Sequence, residues 1–116
     1  KQKTKKKNKR AHGIDARRIA VDPGFGFGKS IEHNFTLLSE LSALKQMQLP
    51  IVVGLSRKSM LGAATGRAVQ DRVAASVAAA VLAVERGANI VRVHDVAATR
   101  DALRVWKTMQ DQVRVQ

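Results

Sequence analysis

Three apolar runs punctuate the chain, and an amphipathic stretch of helical period follows each. The first, residues 18–22, carries Ile19, Ala20 and Val21 and closes on the carboxylate of Asp22; the second, 51–55, is apolar throughout; the third spans 89–94. Short β-branched runs of this kind predict strands covered on both faces, as in a parallel sheet. After the first, Ile31, Phe35, Leu38 and Leu41 recur at spacings of three and four, widened by Leu37 and Leu44, and Ser30 stands where an N-cap belongs. That pattern predicts a helix through about Met47. Residues 60–64 are a short apolar turn ended by Gly66, and Val69, Val73, Val77, Val81 and Val84, set among alanines, predict a long helix over 69–86. Gly87 follows it as a C′ glycine, and so much alanine requires close packing against a neighbour. A last helix over 98–112 has Ala102, Val105, Trp106 and Met109 as its buried stripe. The order βαβαβα predicts an α/β protein of three consecutive parallel strand-helix units with right-handed crossovers.

The first strand runs into VDPGFGFGKS. Pro23 cannot donate to a sheet ladder, and Gly24, Gly26 and Gly28 permit backbone angles closed to other residues. Two of the four aromatic rings in the chain, Phe25 and Phe27, sit on this loop. Rings spaced by glycines predict a loop that faces a ligand rather than one that fills a core.

Composition narrows the class. At 116 residues the chain has room for one modest core. It has no cysteine, which excludes a disulfide framework and a thiolate metal site. No run of about 18 apolar residues is present, so a soluble cytoplasmic protein is the expectation. The net charge of +12 resembles a nucleic-acid footprint, but six lysines and Arg10, with no acidic residue, place most of it in residues 1–10. This divides the chain into a basic, disordered tail, 1–10, and a globular part, 11–116. The tail is either an arm for nucleic acid or another acidic partner, or a solvated terminus. The globular part lines up no aromatic platform for stacking bases.

Polar residues cluster after the carboxyl end of each predicted strand: Asp22 with the glycine loop, then Ser56, Arg57, Lys58 and Ser59, then Arg92, His94 and Asp95. In parallel α/β architectures that edge is where ligands bind. Arg92 and His94 lie two apart on a strand, so they share a face, and a cation beside an imidazole suits a phosphate or pyrophosphate. The alternative for such an arginine is an ion pair with Asp95 or Asp22. Helix starts after Ser30, Ser59 and Asp95 would add N–H groups at the same edge. Lys58 is placed to hydrogen-bond a heterocycle and oppose developing negative charge, its plain alternative being a solvated loop lysine. Two motif matches fail. GKS at 28–30 resembles the end of a P-loop, but the first glycine of that motif would fall at Pro23; GxGxxG fails in both registers, at Lys29 and Ile31. His12, His33 and His94 lack metal-ligand spacing, and His12 and His33 read as surface residues.

DPGFGFGK, GLSRKS and RVHDV, in that order and separated by amphipathic helices, closely resemble the dihydropteroate synthase family of folate biosynthesis over residues 11–107. The resemblance implies the last three strand-helix units of a TIM (β/α)8 barrel. The implied reaction displaces pyrophosphate from a hydroxymethyl-dihydropterin diphosphate by p-aminobenzoate, with magnesium. It further implies that Asp22 hydrogen-bonds the pterin, that Lys58 reaches the pterin and p-aminobenzoate, and that Gly26 and Phe27 border the p-aminobenzoate pocket. Ser59 would help hold the p-aminobenzoate carboxylate, and Arg92 and His94 would take the diphosphate, so that Lys58, Arg92 and His94 carry the chemistry. Sulfonamides, which imitate p-aminobenzoate, would target that pocket, and a homodimer is implied for the full-length family. A complete barrel needs about 250 residues, and the asparagine that ligates magnesium in the family has no counterpart here, so the expectation is a carboxy-terminal fragment. Besides a synthase in need of its amino-terminal part, two other readings stand: an inactive remnant that binds phosphate or pterin, and a basic-tailed nucleic-acid-binding module.

Overall fold

The structure, a computed structural model, describes residues 20–26 and 28–115. The basic stretch 1–10, His12, the start of the first predicted strand and Phe27 lie outside the described residues.

Two short strands, β1 (Val52–Val53) and β2 (Ile90–Val91), pair in parallel with Val52 opposite Ile90 and Val53 opposite Val91. Val21 forms a single parallel bridge with Ile51, its N–H donating to the Pro50 carbonyl at 2.7 Å while Val52 donates back to Val21 at 2.8 Å. The α/β class and parallel pairing hold, but the first of the three expected strands contributes one bridge among the described residues. The other two are shorter than the apolar runs because side chains take over their backbone bonds. Asn89 Oδ1 accepts from Ile51 N–H at 2.9 Å, and Ser56 Oγ accepts from His94 N–H at 3.2 Å.

Helix α1 (Ile31–Ser39) starts as predicted, with Ser30 Oγ accepting from His33 N–H at 3.0 Å. It ends eight residues before Met47. Ser39 Oγ donates to the Thr36 carbonyl at 2.7 Å, a local bond that competes with helix continuation, and the chain passes into a 3-10 helix, Leu41–Met47. The apolar stripe survives the change: Leu38 and Leu41 are buried, with Phe35, Leu37 and Leu44 partly buried against them. Where a turn was expected, α2 (Ser59–Thr65) forms, closed by Gly66 at φ 73°.

The helix expected over 69–86 is broken at Arg72 into a 3-10 turn, Val69–Asp71, and α3 (Val73–Glu85). The Arg72 guanidinium donates to the carbonyls of Arg67 and Arg57 at 3.0 and 2.9 Å, which fixes the break. The buried face of α3 is Ser76, Ala79, Ala80 and Ala83; Val69 and Val73 face outward. Val77, Val81 and Val84 are half-buried, so the valine stripe flanks the alanine face that packs most tightly. Small side chains let α3 approach β2 and the last helix, α4 (Val96–Val115), closely. The stripe expected on α4 is also corrected: Ala102 and Trp106 are half-buried, but Val105 is 72% and Met109 50% exposed.

Phe25, Leu41, Ile51, Val53 and Met60 are the largest fully buried side chains. Phe25, at 1% exposure, is core and not a ligand-facing ring. Gly26, at φ 87°, turns the backbone so that the preceding ring points inward, where burying it is worth about 1.5–3 kcal/mol.

Candidate functional site

Asp22 follows the Val21 bridge directly. Its Oδ1 accepts from Gly24 N–H at 2.9 Å, inside a loop whose Gly24 takes φ 75°, and its Oδ2 accepts from Arg92 Nη2 at 2.9 Å. Arg92 leaves the end of β2 and lies across Gly54, at the end of β1. A Cβ on residue 54 would stand 3.2 Å from Arg92 Nη2 and 3.3 Å from Nε, so any larger residue there would crowd the guanidinium. His94, two residues on, pairs through Nδ1 with Ser56 Oγ at 2.8 Å. Arg92 and His94 open on one cavity, about 240 Å³, lined also by Gly54, Ser56, Lys58 and Val93; the strand ends at Val91, so the alternation expected through 92–94 does not hold and Val93 shares their side.

Lys58 caps α2 with extended backbone, and its Nζ donates to the Phe25 carbonyl at 2.5 Å. The side chain runs beside Gly26: a Cβ there would be 3.6 Å from Lys58 Cδ and 3.8 Å from Nζ. Burial pushes the Lys58 ammonium below the ordinary lysine range; the Asp22 carboxylate opposes the fall, and Arg92 and Lys29 add to it. Lys58 is thus not the solvated loop lysine of the plain alternative. Ser59, exposed, is the first residue of α2. The Phe27 role lies outside the described residues.

The turn between β1 and α2 is held from three sides. Arg57 takes a left-handed backbone, φ 60°; its N–H donates to the buried Ser76 Oγ at 2.8 Å, and its carbonyl accepts from Arg72. Its guanidinium meets Asp95 Oδ1 at 3.0 Å. Of the two ion pairs that were the alternatives to anion binding by Arg92, the one with Asp22 forms, while Asp95 is taken by Arg57, a pair the sequence reading did not raise. The Arg92–Asp22 pair is open to solvent, with side chains 63% and 36% exposed, so it is worth only about 0–1 kcal/mol and a bound anion can displace it.

Besides Ser56, two polar residues that sequence reasoning did not single out hold this edge in place: Asn34 and Ser76. Asn34 is 3% exposed, and its Oδ1 accepts from Gly26 N–H at 2.8 Å. Its signal was present, because residues 34, 38 and 41 share one helical face and Asn34 is the polar member of an apolar stripe. Among the described residues no group of three or more His, Cys, Asp or Glu is placed to hold a metal ion, and both Asp22 oxygens are engaged. These donors do not fit the magnesium that the resemblance implies. A larger apolar groove, about 360 Å³, lies beside β2 and α4 between Val91, Val96 and Leu103, away from these groups.

The sequence profile of the pterin binding enzyme family matches residues 1–94. The dihydropteroate synthase of Haemophilus influenzae is 50% identical over 95 residues, which cover 82% of this chain and 34% of that protein. The dihydropteroate synthase of Xanthomonas albilineans, solved in complex with 7,8-dihydropteroate, superposes with a TM-score of 0.90 at 51% identity, over 92% of this chain and 41% of the solved one. A second structure of that enzyme, with 4-aminobenzoic acid, gives the same TM-score and identity over 40% of the solved chain. The chain spans about a third of the length of the curated relatives it matches.

Proposed function

Because this chain belongs to the pterin binding enzyme family, we propose that it supplies the carboxy-terminal part of a dihydropteroate synthase, a TIM barrel whose earlier strand-helix units complete the site. The observation that carries this reading is that Lys58, Arg92 and His94 line one strand-end cavity and that Asp22, from the preceding segment, is bonded to Arg92 beside it. Each has a chemistry matched to one part of the reaction. A carboxylate accepts from the N–H donors of a pterin ring, so Asp22 orients the heterocycle, Arg92 being released from it to the incoming diphosphate. Lys58 donates to the heterocycle and to the p-aminobenzoate side. In the reaction the p-aminobenzoate amine attacks the pterin methylene carbon and the carbon–oxygen bond to the diphosphate breaks. Pyrophosphate leaves with the electron pair, and the new secondary amine loses a proton. Charge grows on the departing oxygen, where Arg92 and His94 stand as cation and hydrogen-bond donor.

By family resemblance Ser59, the first residue of α2, takes the carboxylate of p-aminobenzoate, and Gly26, beside Lys58, borders its ring. Magnesium finds no ligand set among the described residues, and no step is routed through it. No helix among the described residues is long and apolar enough to cross a membrane, which is consistent with a cytoplasmic enzyme. The homodimer implied for the family would have a surface in the exposed side of α4.

The test is dihydropteroate formation by this chain alone and together with an amino-terminal fragment of a relative such as the Haemophilus influenzae synthase. Turnover is expected only in the mixture. There, Lys58→Ala lowers it by about a hundredfold or more, while Lys45→Ala, on the 3-10 helix away from the strand ends, leaves it in place. Turnover by the chain alone would show that the earlier barrel units are dispensable, and equal activity of the two lysine variants would remove Lys58 from the site.

A further inference from the structure

The N–H of Gly26 and the carbonyl of Phe25 belong to one planar peptide group and leave it in opposite directions. Asn34 Oδ1 holds the N–H end at 2.8 Å, and Lys58 Nζ holds the carbonyl end at 2.5 Å. Asn34 is itself fixed: its Nδ2 donates to the carbonyl of Ser30, the N-cap of α1, at 3.0 Å, which leaves Oδ1 to face Gly26. One peptide therefore links a buried amide in the second turn of α1 to the ammonium of a lysine that lies 33 residues from Phe25 in sequence.

This peptide needs holding. Gly26 has no Cβ and sits at φ 87°, so little steric resistance opposes rotation of the group about its flanking bonds. A flip would exchange the two ends, turning an N–H toward the Lys58 ammonium and a carbonyl toward Asn34 Oδ1, a donor against a cation and an acceptor against an acceptor. With Asn34 in place, only one orientation satisfies both partners. In that orientation Lys58 meets a neutral acceptor among three charged neighbours, Asp22, Arg92 and Lys29.

We propose that Asn34 is a positioning residue for Lys58, acting through the Phe25–Gly26 peptide, whose carbonyl it keeps turned toward Lys58 Nζ. The significance for catalysis rests on the reading of Lys58 as a substrate ligand; the structural claim does not. Asn34 touches no reacting atom in this scheme. It sets where the lysine waits, and a lysine already bonded to the Phe25 carbonyl surrenders less rotamer freedom when substrate arrives.

The test uses the chain without substrate, so its outcome is independent of whether dihydropteroate is ever formed. Two quantities are read by nuclear magnetic resonance: hydrogen exchange of the Gly26 amide, and the order parameter of the Lys58 Cε methylene. In Asn34→Leu, which is close in size but has no acceptor, Gly26 exchange is expected to quicken about tenfold, the scale of one hydrogen bond, and the Lys58 order parameter to fall below its wild-type value. Asn34→Asp keeps an oxygen for Gly26 and is read at a pH low enough to leave its buried side chain an uncharged carboxylic acid; the Ser30 carbonyl is still served by the backbone N–H of residue 34 at 3.0 Å. It is expected to restore both quantities to the wild-type values. Faster Gly26 exchange with Lys58 order unchanged would reduce Asn34 to a loop anchor and overturn the proposal. Should Asn34→Leu not fold, Asn34→Asp still decides, because loss of Lys58 order in a variant that retains the acceptor would overturn it equally.

Discussion

Asp22 has two carboxylate oxygens, and each already has a partner, one the Gly24 amide and the other the Arg92 guanidinium. The loop bond shapes the strand exit; the ion pair is the one a substrate can exchange. Lys58 is the residue whose environment departs most clearly from water. Its ammonium is disfavoured by burial, so the folded chain releases that proton at lower pH than the unfolded chain, whose lysine titrates near 10.5. Below the folded value both states are protonated and the fold bears the full penalty. Between the two values the unfolded state binds more protons, so stability rises with pH across the window just under 10.5. Urea unfolding of wild type and Lys58→Met at pH 7 and pH 10 checks the sign: the wild-type stability minus that of the variant rises with pH, and a value that falls or stays flat would place Lys58 in solvent. At this scale the clustering of Arg92 and His94 after an apolar run was legible, because it is a property of neighbouring residues; their alternation with Val93 was not, because the strand ends at Val91 and Val93 lines the same cavity. The inward turn of Phe25 was not, because it depends on Gly26 adopting a positive φ and on a core supplied by residues 38–61.

Among the elements, the turn between β1 and α2 depends most on a distant helix. Arg57 is held at φ 60°, a conformation unusual outside glycine, and its N–H has the Ser76 hydroxyl as acceptor from the buried face of α3. Ser76→Ala removes that acceptor while leaving the volume nearly unchanged. The expected loss is about 1–3 kcal/mol in chemical denaturation, and a loss within error would mean that the Arg57 amide finds water instead. Helix existence was legible from period and capping, and Ser30 caps α1 as its position predicts. Which face of α3 is buried was not. Valines at 69 and 73 carry more apolar area, yet the alanine side faces inward, because the spacing between α3 and its neighbours admits only small side chains. The break at Arg72 likewise depends on carbonyls presented by residues 57 and 67, which no helical pattern contains.

For the molecule as a whole, the outward stripe of α4 is the feature the chain leaves unpartnered among its described residues. Val105, Met109 and Val113 are spaced by four, and each is at least half exposed. Such a stripe favours a second copy, and sedimentation should show association that grows with concentration in wild type and is lost in Val105→Glu combined with Val113→Glu. Concentration-independent monomers in wild type would assign the stripe to solvent. The sequence by itself determined the parallel α/β class and the presence of three polar clusters after apolar runs, since periodicity and the ends of apolar runs are properties of neighbouring residues. Only the tertiary structure decided the pairings: Arg92 with Asp22 across 70 positions, Arg57 with Asp95 across 38, and Asn34 with Lys58 through one shared peptide. The same composition of charges permits other pairs. What selects these is the register of the segments side by side, Val52 against Ile90 and Val21 against Ile51, which sets which strand ends stand within the few ångströms that a hydrogen bond can span.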